Sequence, residues 1–86
     1  MTPYTVLWRQ TATNQLTEIW LAASDRARIN EAVQAIDGLL AINPLGRLTR
    51  ELSEGLRTIT VLPLRVIYAI EEQDCIVDVA TVRCIE

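Results

Sequence analysis

Neither lysine nor histidine occurs in this chain of 86 residues, and all eight of its basic residues are arginine. Without histidine the chain lacks the side chain that most readily moves a proton near neutral pH. Arginine does not replace it, because a guanidinium stays charged and is a poor proton carrier. Cysteine is confined to Cys75 and Cys84. On one extended strand these thiols stand roughly 30 Å apart at about 3.3 Å per residue, against a limit of ~7 Å for bridged Cα atoms, so no intramolecular disulfide is expected. With no histidine and no close cysteine pair, no metal site is expected, and no cofactor is implied. There is no run of about 18 apolar residues and no basic segment leading into an apolar one, so neither a membrane span nor an export signal is read. A cytoplasmic location is the expectation. The formal net charge of −3 argues against non-specific binding to nucleic acid, where phosphate contacts dominate affinity, although it says little about any one face.

What is present is apolar. Half of the residues are hydrophobic and the mean hydropathy is +0.20. A chain of this size buries only about 60–65% of its unfolded surface, so residues 1–86 are read as one domain with apolar surface left over for a partner or for a second copy.

The organising stretch is a strand, Leu64 to Ile70, followed by a second, Cys75 to Val82, both rich in β-branched residues. A turn tipped by Glu72 and Gln73 sets Ile70 opposite Cys75, Tyr68 opposite Val77 and Val66 opposite Val79 on one apolar face. The other face then carries Arg65 opposite Ala80, Ile67 opposite Asp78 and Ala69 opposite Ile76, with Arg65 diagonally within ion-pair reach of Asp78. Glu71, Glu72 and Asp74 form a solvated turn. A strand from Leu56 to Val61 arrives through Leu62-Pro63 and pairs Ile59 with Val66 and Thr60 with Arg65.

Upstream, Tyr4 to Trp8 reads as a short first strand. Thr11 or Thr13 can cap a helix whose apolar stripe is Leu16, Ile19, Trp20 and Ala23. Ser24 can cap a second, with Asp25 in its first turn and Ile29, Val33, Ile36 and Leu40 along one stripe, widened by Ala32, Ala35 and Leu39. Gly38 weakens this helix by about 1 kcal/mol relative to alanine, and Asn43-Pro44 with Gly46 ends it. Leu45 to Gly55 reads as a polar connection, helical over Leu48 to Leu52. The expected architecture is therefore α+β: an N-terminal strand, an antiparallel helical hairpin, then a three-stranded antiparallel meander with both helices on one sheet face. The open face is expected to carry Thr58, Thr60, Arg65, Ile67, Ala69, Asp78, Ala80 and Val82. Of these, Thr58, Thr60, Arg65, Ile67, Asp78 and Ala80 are the candidates for contact with a target or partner. Tyr68 faces the helices, and Trp8 and Trp20 read as packing anchors.

The leading Tyr-Thr-Val-Leu-Trp strand, the helical hairpin, Gly55-Leu56-Arg57, the strand Leu64-Arg65-Val66-Ile67-Tyr68 and the closing Val82-Arg83 resemble the RelE/ParE superfamily of plasmid-stabilisation toxins. The resemblance implies the toxin half of a type II toxin–antitoxin pair, held inactive by a cognate antitoxin. It also implies one of two mechanisms. ParE-like members bind DNA gyrase and are not themselves enzymes; RelE-like members cut messenger RNA on the ribosome without a metal. For cleavage the candidates are Arg57, Arg65 and Arg83, with Arg65 matching the arginine ahead of the aliphatic-Tyr pair. The lysines of RelE-like members are absent, and nothing between Arg83 and Glu86 matches their later basic and tyrosine residues. Binding to gyrase or another large target is therefore ranked first. The alternatives are a ribosome-dependent endonuclease and a degenerate, inactive member.

Overall fold

In the computed structural model, which describes residues 3–85, the chain runs β1 (Thr5–Trp8), α1 (Gln10–Ala22), α2 (Arg26–Ile42), β2 (Thr49–Ser53), β3 (Leu56–Val61), β4 (Leu64–Glu71) and β5 (Ile76–Cys84). The strands make one sheet in the order β1-β5-β4-β3-β2, with β1 parallel to β5 and every other pair antiparallel. This is the expected α+β class with one more strand. The stretch read as a polar, partly helical connection is strand β2, which makes the meander four-stranded. Its sequence, TRELS, is polar because an edge strand exposed along most of its length has little to bury. A glycine serves the β2–β3 turn, since Gly55 sits at φ 81, a region that side chains strain to enter.

Strands β3 and β4 pair as their alternation requires, Ile59 with Val66 and Thr60 with Arg65. The tip between them holds a cis Leu62–Pro63 bond, the form in which proline occupies the third position of a tight turn. The β4–β5 hairpin differs from the sequence expectation in two ways. Its loop takes in Glu72 to Cys75, so Ile70 faces Val77 and Tyr68 faces Val79. A slip of two residues keeps every side chain on its expected face. Beyond Tyr68, however, the register shifts at a bulge in which Ala80 is the additional residue, and Ile67 then faces Thr81, Val66 faces Val82 and Arg65 faces Arg83. One inserted residue reverses the parity of the rest of the strand. Val82, expected on the open face, is therefore in the core at 2% exposure. The bulge is anchored from α1, where the Gln15 side-chain carbonyl accepts the Val82 N–H at 2.9 Å.

The core lies between the sheet and the helices. Ile29, Ala32, Ile36 and Leu40 of α2 and Ala12 of α1 pack with Ile59, Leu64, Val66, Tyr68, Val77, Val79 and Val82, and Leu16, Ile19, Trp20, Ala23 and Val33 close its margin. Each fully buried aliphatic side chain contributes about 1.5–3 kcal/mol of transfer free energy. Ala35 and Leu39 are exposed instead of widening the α2 stripe. The helix caps also differ from expectation. Asp25, not Ser24, caps α2, accepting the Arg28 N–H at 3.1 Å. Neither Thr11 nor Thr13 caps α1: the cap position is Arg9, whose side chain makes no capping bond, and the Thr13 hydroxyl donates back to its carbonyl. At the other end of α1, Arg26 donates to the Trp20 and Leu21 carbonyls at 3.0 and 3.2 Å while lying over the Trp20 ring at 4.5 Å. A cation there satisfies carbonyls that the helix leaves unpaired. Trp8 ties β1 to α2 by donating to the Asp37 carboxylate at 2.7 Å. Cys75 and Cys84 stand at opposite ends of β5 and form no disulfide with each other.

Candidate functional site

Because successive side chains of a strand point to opposite faces, the residues that do not meet the helices are collected on the open face of the sheet. There the strand register places Thr60, Arg65 and Arg83 in one row across β3, β4 and β5. Adjacent strands are about 4.8 Å apart, so the Arg65 and Arg83 side chains leave the sheet as direct neighbours of the same charge. Arg65 is half-buried and Arg83 is exposed. Toward the β2 edge the row opens into a cleft of about 250 Å³ whose lining includes Arg47 and Arg50 together with Arg65, Thr58 and Thr60. Arg47 lies in the connection from α2, and Arg50 lies on β2 directly opposite Thr58. None of these four arginines forms an ion pair or a side-chain hydrogen bond with another described residue.

This cluster differs from the expected one. Arg65 was expected opposite Ala80 and diagonally across from Asp78, but the two-residue slip and the bulge together set it opposite Arg83. Asp78 bonds Arg9, with Nη2 2.7 Å and Nε 2.8 Å from its Oδ2. The hydrogen bond that Arg9 donates to Asp78, and then the charge of that carboxylate, raise the Arg9 pKa above its ordinary value. Asp78 is thus engaged at the β1–α1 junction. Thr58, also expected to be available, is 4% exposed, and its hydroxyl donates to the Val66 carbonyl at 2.8 Å. Ile67 and Ala80 are half-buried, and Thr60 is exposed.

Arg57 does not join the arginine pair. It faces Tyr68 across β3 and β4, on the helix side of the sheet. One of its terminal nitrogens donates to the Thr49 hydroxyl at 2.8 Å, while its Nε is buried with no partner among the described residues. Tyr68 is fully buried and donates to the Pro44 carbonyl at 2.6 Å, so its hydroxyl is committed to the connection after α2. The structure therefore unites Arg65 and Arg83, adds Arg47 and Arg50, and sets Arg57 apart. Arg47 and Arg50 escaped sequence reasoning because the segment carrying them shows no strand alternation. Chemically, the corner is rich in charge-stabilising donors, and the described lining of its cleft includes no carboxylate or phenol.

The family model for the ParE toxin of the type II toxin–antitoxin system parDE matches residues 6–84. Among solved structures, the RelBE2 toxin–antitoxin complex of Mycobacterium tuberculosis contains a similar chain, with a TM-score of 0.80 at 24% identity, covering 98% of this chain and 93% of that one. A chain of the chromosomal ParDE system of P. aeruginosa matches with a TM-score of 0.70 at 15% identity, covering 96% of this chain and 97% of that one. A chain of the archaeal RelE–RelB complex of Pyrococcus horikoshii OT3 matches with a TM-score of 0.68 at 18% identity, covering 99% and 97% respectively. At these identities the solved structures establish a shared fold. No curated protein matches the chain.

Proposed function

Since the chain belongs to the ParE toxin family of type II toxin–antitoxin systems, we propose that it arrests growth in the cytoplasm by binding DNA gyrase, without cutting RNA, and that a cognate antitoxin neutralises it. The observation that carries this reading is an arginine cluster whose cleft, among the described residues, is lined by no histidine, lysine, tyrosine or carboxylate. Cleavage of RNA through its 2′-hydroxyl needs a base for that proton and an acid for the leaving oxygen, as well as charge stabilisation. Arg65 and Arg83 can supply only the last of these. The Tyr68 hydroxyl is sealed in the core, and the carboxylates of the hairpin loop begin roughly 20 Å along β4 from Arg65 at about 3.3 Å per residue.

On this reading the target contacts the open face through Thr60, Arg65, Ile67, Ala80 and Arg83, while the buried Thr58 supports that face and Asp78 is held by Arg9 at its β1 margin. The antitoxin is supported by the similar chains, which come from toxin–antitoxin complexes. The ribosome-dependent nuclease keeps one specific observation in its favour: Arg65 faces Arg83 directly, as two donors around a pentavalent phosphorus would.

Expression in bacteria separates the two. Wild type is expected to stop growth, with gyrase-dependent DNA damage and continuing translation, and co-expression of the antitoxin is expected to restore growth. Arg65→Ala is expected to be less toxic. An immediate translation block with cut transcripts would support the nuclease, and harmless accumulation of folded wild type would remove both readings.

A further inference from the structure

On the open face β4 presents Arg65, Ile67, Ala69 and Glu71 in succession, since Leu64, Val66 and Tyr68 are buried against the helices. The order is basic, apolar, apolar, acidic, and reversing the strand makes it its own complement. From this pattern we propose that the open face is an interface with a second copy of this chain, the two sheets packing face to face with β4 antiparallel to the partner's β4. A two-fold axis lying between the sheets and perpendicular to the strands sets Arg65 over the partner's Glu71 and Ile67 over the partner's Ala69, and the reverse contacts follow by symmetry. Packed sheets stand about 10 Å apart, and large side chains facing small ones fill that gap. Ile67 meets Ala69 in this way.

Like charges directly opposite on neighbouring strands are destabilising, yet Arg65 faces Arg83. The partner's Glu71 arrives between these two guanidinium groups and answers both. Within one chain Arg65, Arg83 and Glu71 form no ion pair with another described residue. The charge of Glu71 bears on Arg9 only as the smallest of the causes that raise the Arg9 pKa, behind the hydrogen bond and charge of Asp78. Two chains of net charge −3 repel weakly at long range, but segregating the signs to opposite ends of one face makes the contact itself attractive. Between those ends the face is apolar. Leu7, 50% exposed and opposite Asp78, Leu56, 37% exposed, and the half-buried Ala80 border Ile67 and Ala69. A patch about 20 Å along β4 and reaching across β1, β5, β4 and β3 at about 4.8 Å per strand covers on the order of 400 Å² per copy, a size suited to a transient pair.

A partner of different sequence would have to match this order of charge and apolar surface, whereas a second copy matches it by symmetry alone. The contact is isologous and uses the same face of both chains, so assembly closes at two copies. It also covers Arg65, Ile67, Ala80 and Arg83, the surface that the proposed function gives to the target. The chain thus masks its own binding face when concentrated and exposes it on dilution. That consequence rests on the toxin reading. The association does not, because sedimentation reports on it whether or not gyrase is the target.

Sedimentation velocity on the purified chain tests the interface, and a monomer–dimer equilibrium with a dissociation constant on the order of 10–100 μM is expected. R65E and E71R, both at solvent-accessible positions, are each expected to weaken the pair at least about tenfold, because like charges then face each other at both ends. Mixed in equal amounts, the two variants are expected to pair with each other about as tightly as wild type, since every mismatched end of one meets its complement in the other. Fold disruption would not be rescued by mixing. A chain that stays monomeric to about 1 mM would overturn the interface. So would failure of the mixture to pair, or growth into larger species, which a closed two-fold contact does not allow. Association indifferent to R65E, even with gyrase inhibition lost, would leave the face to the target alone and overturn the pair. Dissociation of E71R while neither it nor wild type inhibits gyrase would support the pair and remove only the target.

Discussion

The helix side and the open face of the same strands treat polar groups in opposite ways. On the helix side the Tyr68 hydroxyl bonds Pro44, the Trp8 ring nitrogen bonds Asp37, and Gln15 satisfies the bulged backbone of β5. On the open face Arg65 and Arg83 face each other, and with Arg47 and Arg50 they lack partners among the described residues. A buried polar group without a partner costs about 1–3 kcal/mol, and the helix side satisfies most of its own, the buried Arg57 Nε being the exception among the described residues. Solvated guanidinium groups carry no such penalty and can be left to meet something outside the chain. One face holds the fold together, and the other keeps its donors available.

The contrast is most exposed to test on the helix side. Truncation of Leu40 or Ile36 to alanine, both fully buried, should cost about 2–5 kcal/mol in urea denaturation. A loss below about 1 kcal/mol would mean that the helices do not cover the sheet as described. Tyr68→Phe keeps the ring and strands the Pro44 carbonyl, with an expected cost of about 1–3 kcal/mol. Gln15→Ala frees the Val82 N–H at the half-buried bulge and should cost about 1 kcal/mol. Hydrogen exchange at Val82 is expected to accelerate in that variant and not in Gln10→Ala. The smallest effect has the opposite sign. Arg83→Gln removes a like-charge neighbour of Arg65 and should stabilise the chain by about 0.2–1 kcal/mol while lowering toxicity. Equal losses of stability from substitutions on both faces would erase the distinction.

The helix side was the more legible in the sequence, because burial imposes a period. The stripes Ile29-Val33-Ile36-Leu40 and Val66-Tyr68-Ile70 identify their inward faces whatever the exact register, and the inward parity of Arg57 could be read in the same way. The bulge could not. Around Ala80 the residues Val79, Ala80, Thr81 and Val82 can each face either side, so the alternation supports either parity, and the Gln15 contact that accompanies the bulge comes from a helix remote in sequence. The longer loop and the additional residue together moved Arg65 from the diagonal of Asp78 to a place opposite Arg83, and changed the reading of the corner from a surface ion pair to a cluster with no ion pair among the described residues. Strand β2 was hidden for a different reason. An exposed edge strand has no buried side chains to alternate, so Arg50 was read as part of a partly helical connection, and the cleft it shares with Arg47 of that connection stayed hidden.

The most direct test of gyrase as the target is a supercoiling assay with purified gyrase and the purified chain. Wild type is expected to inhibit supercoiling, Arg65→Ala combined with Arg83→Ala is not, and programmed ribosomes should keep their message intact in the presence of wild type. Unimpaired gyrase together with ribosome-dependent cutting of the message would contradict gyrase binding, and would make the facing arginines catalytic after all.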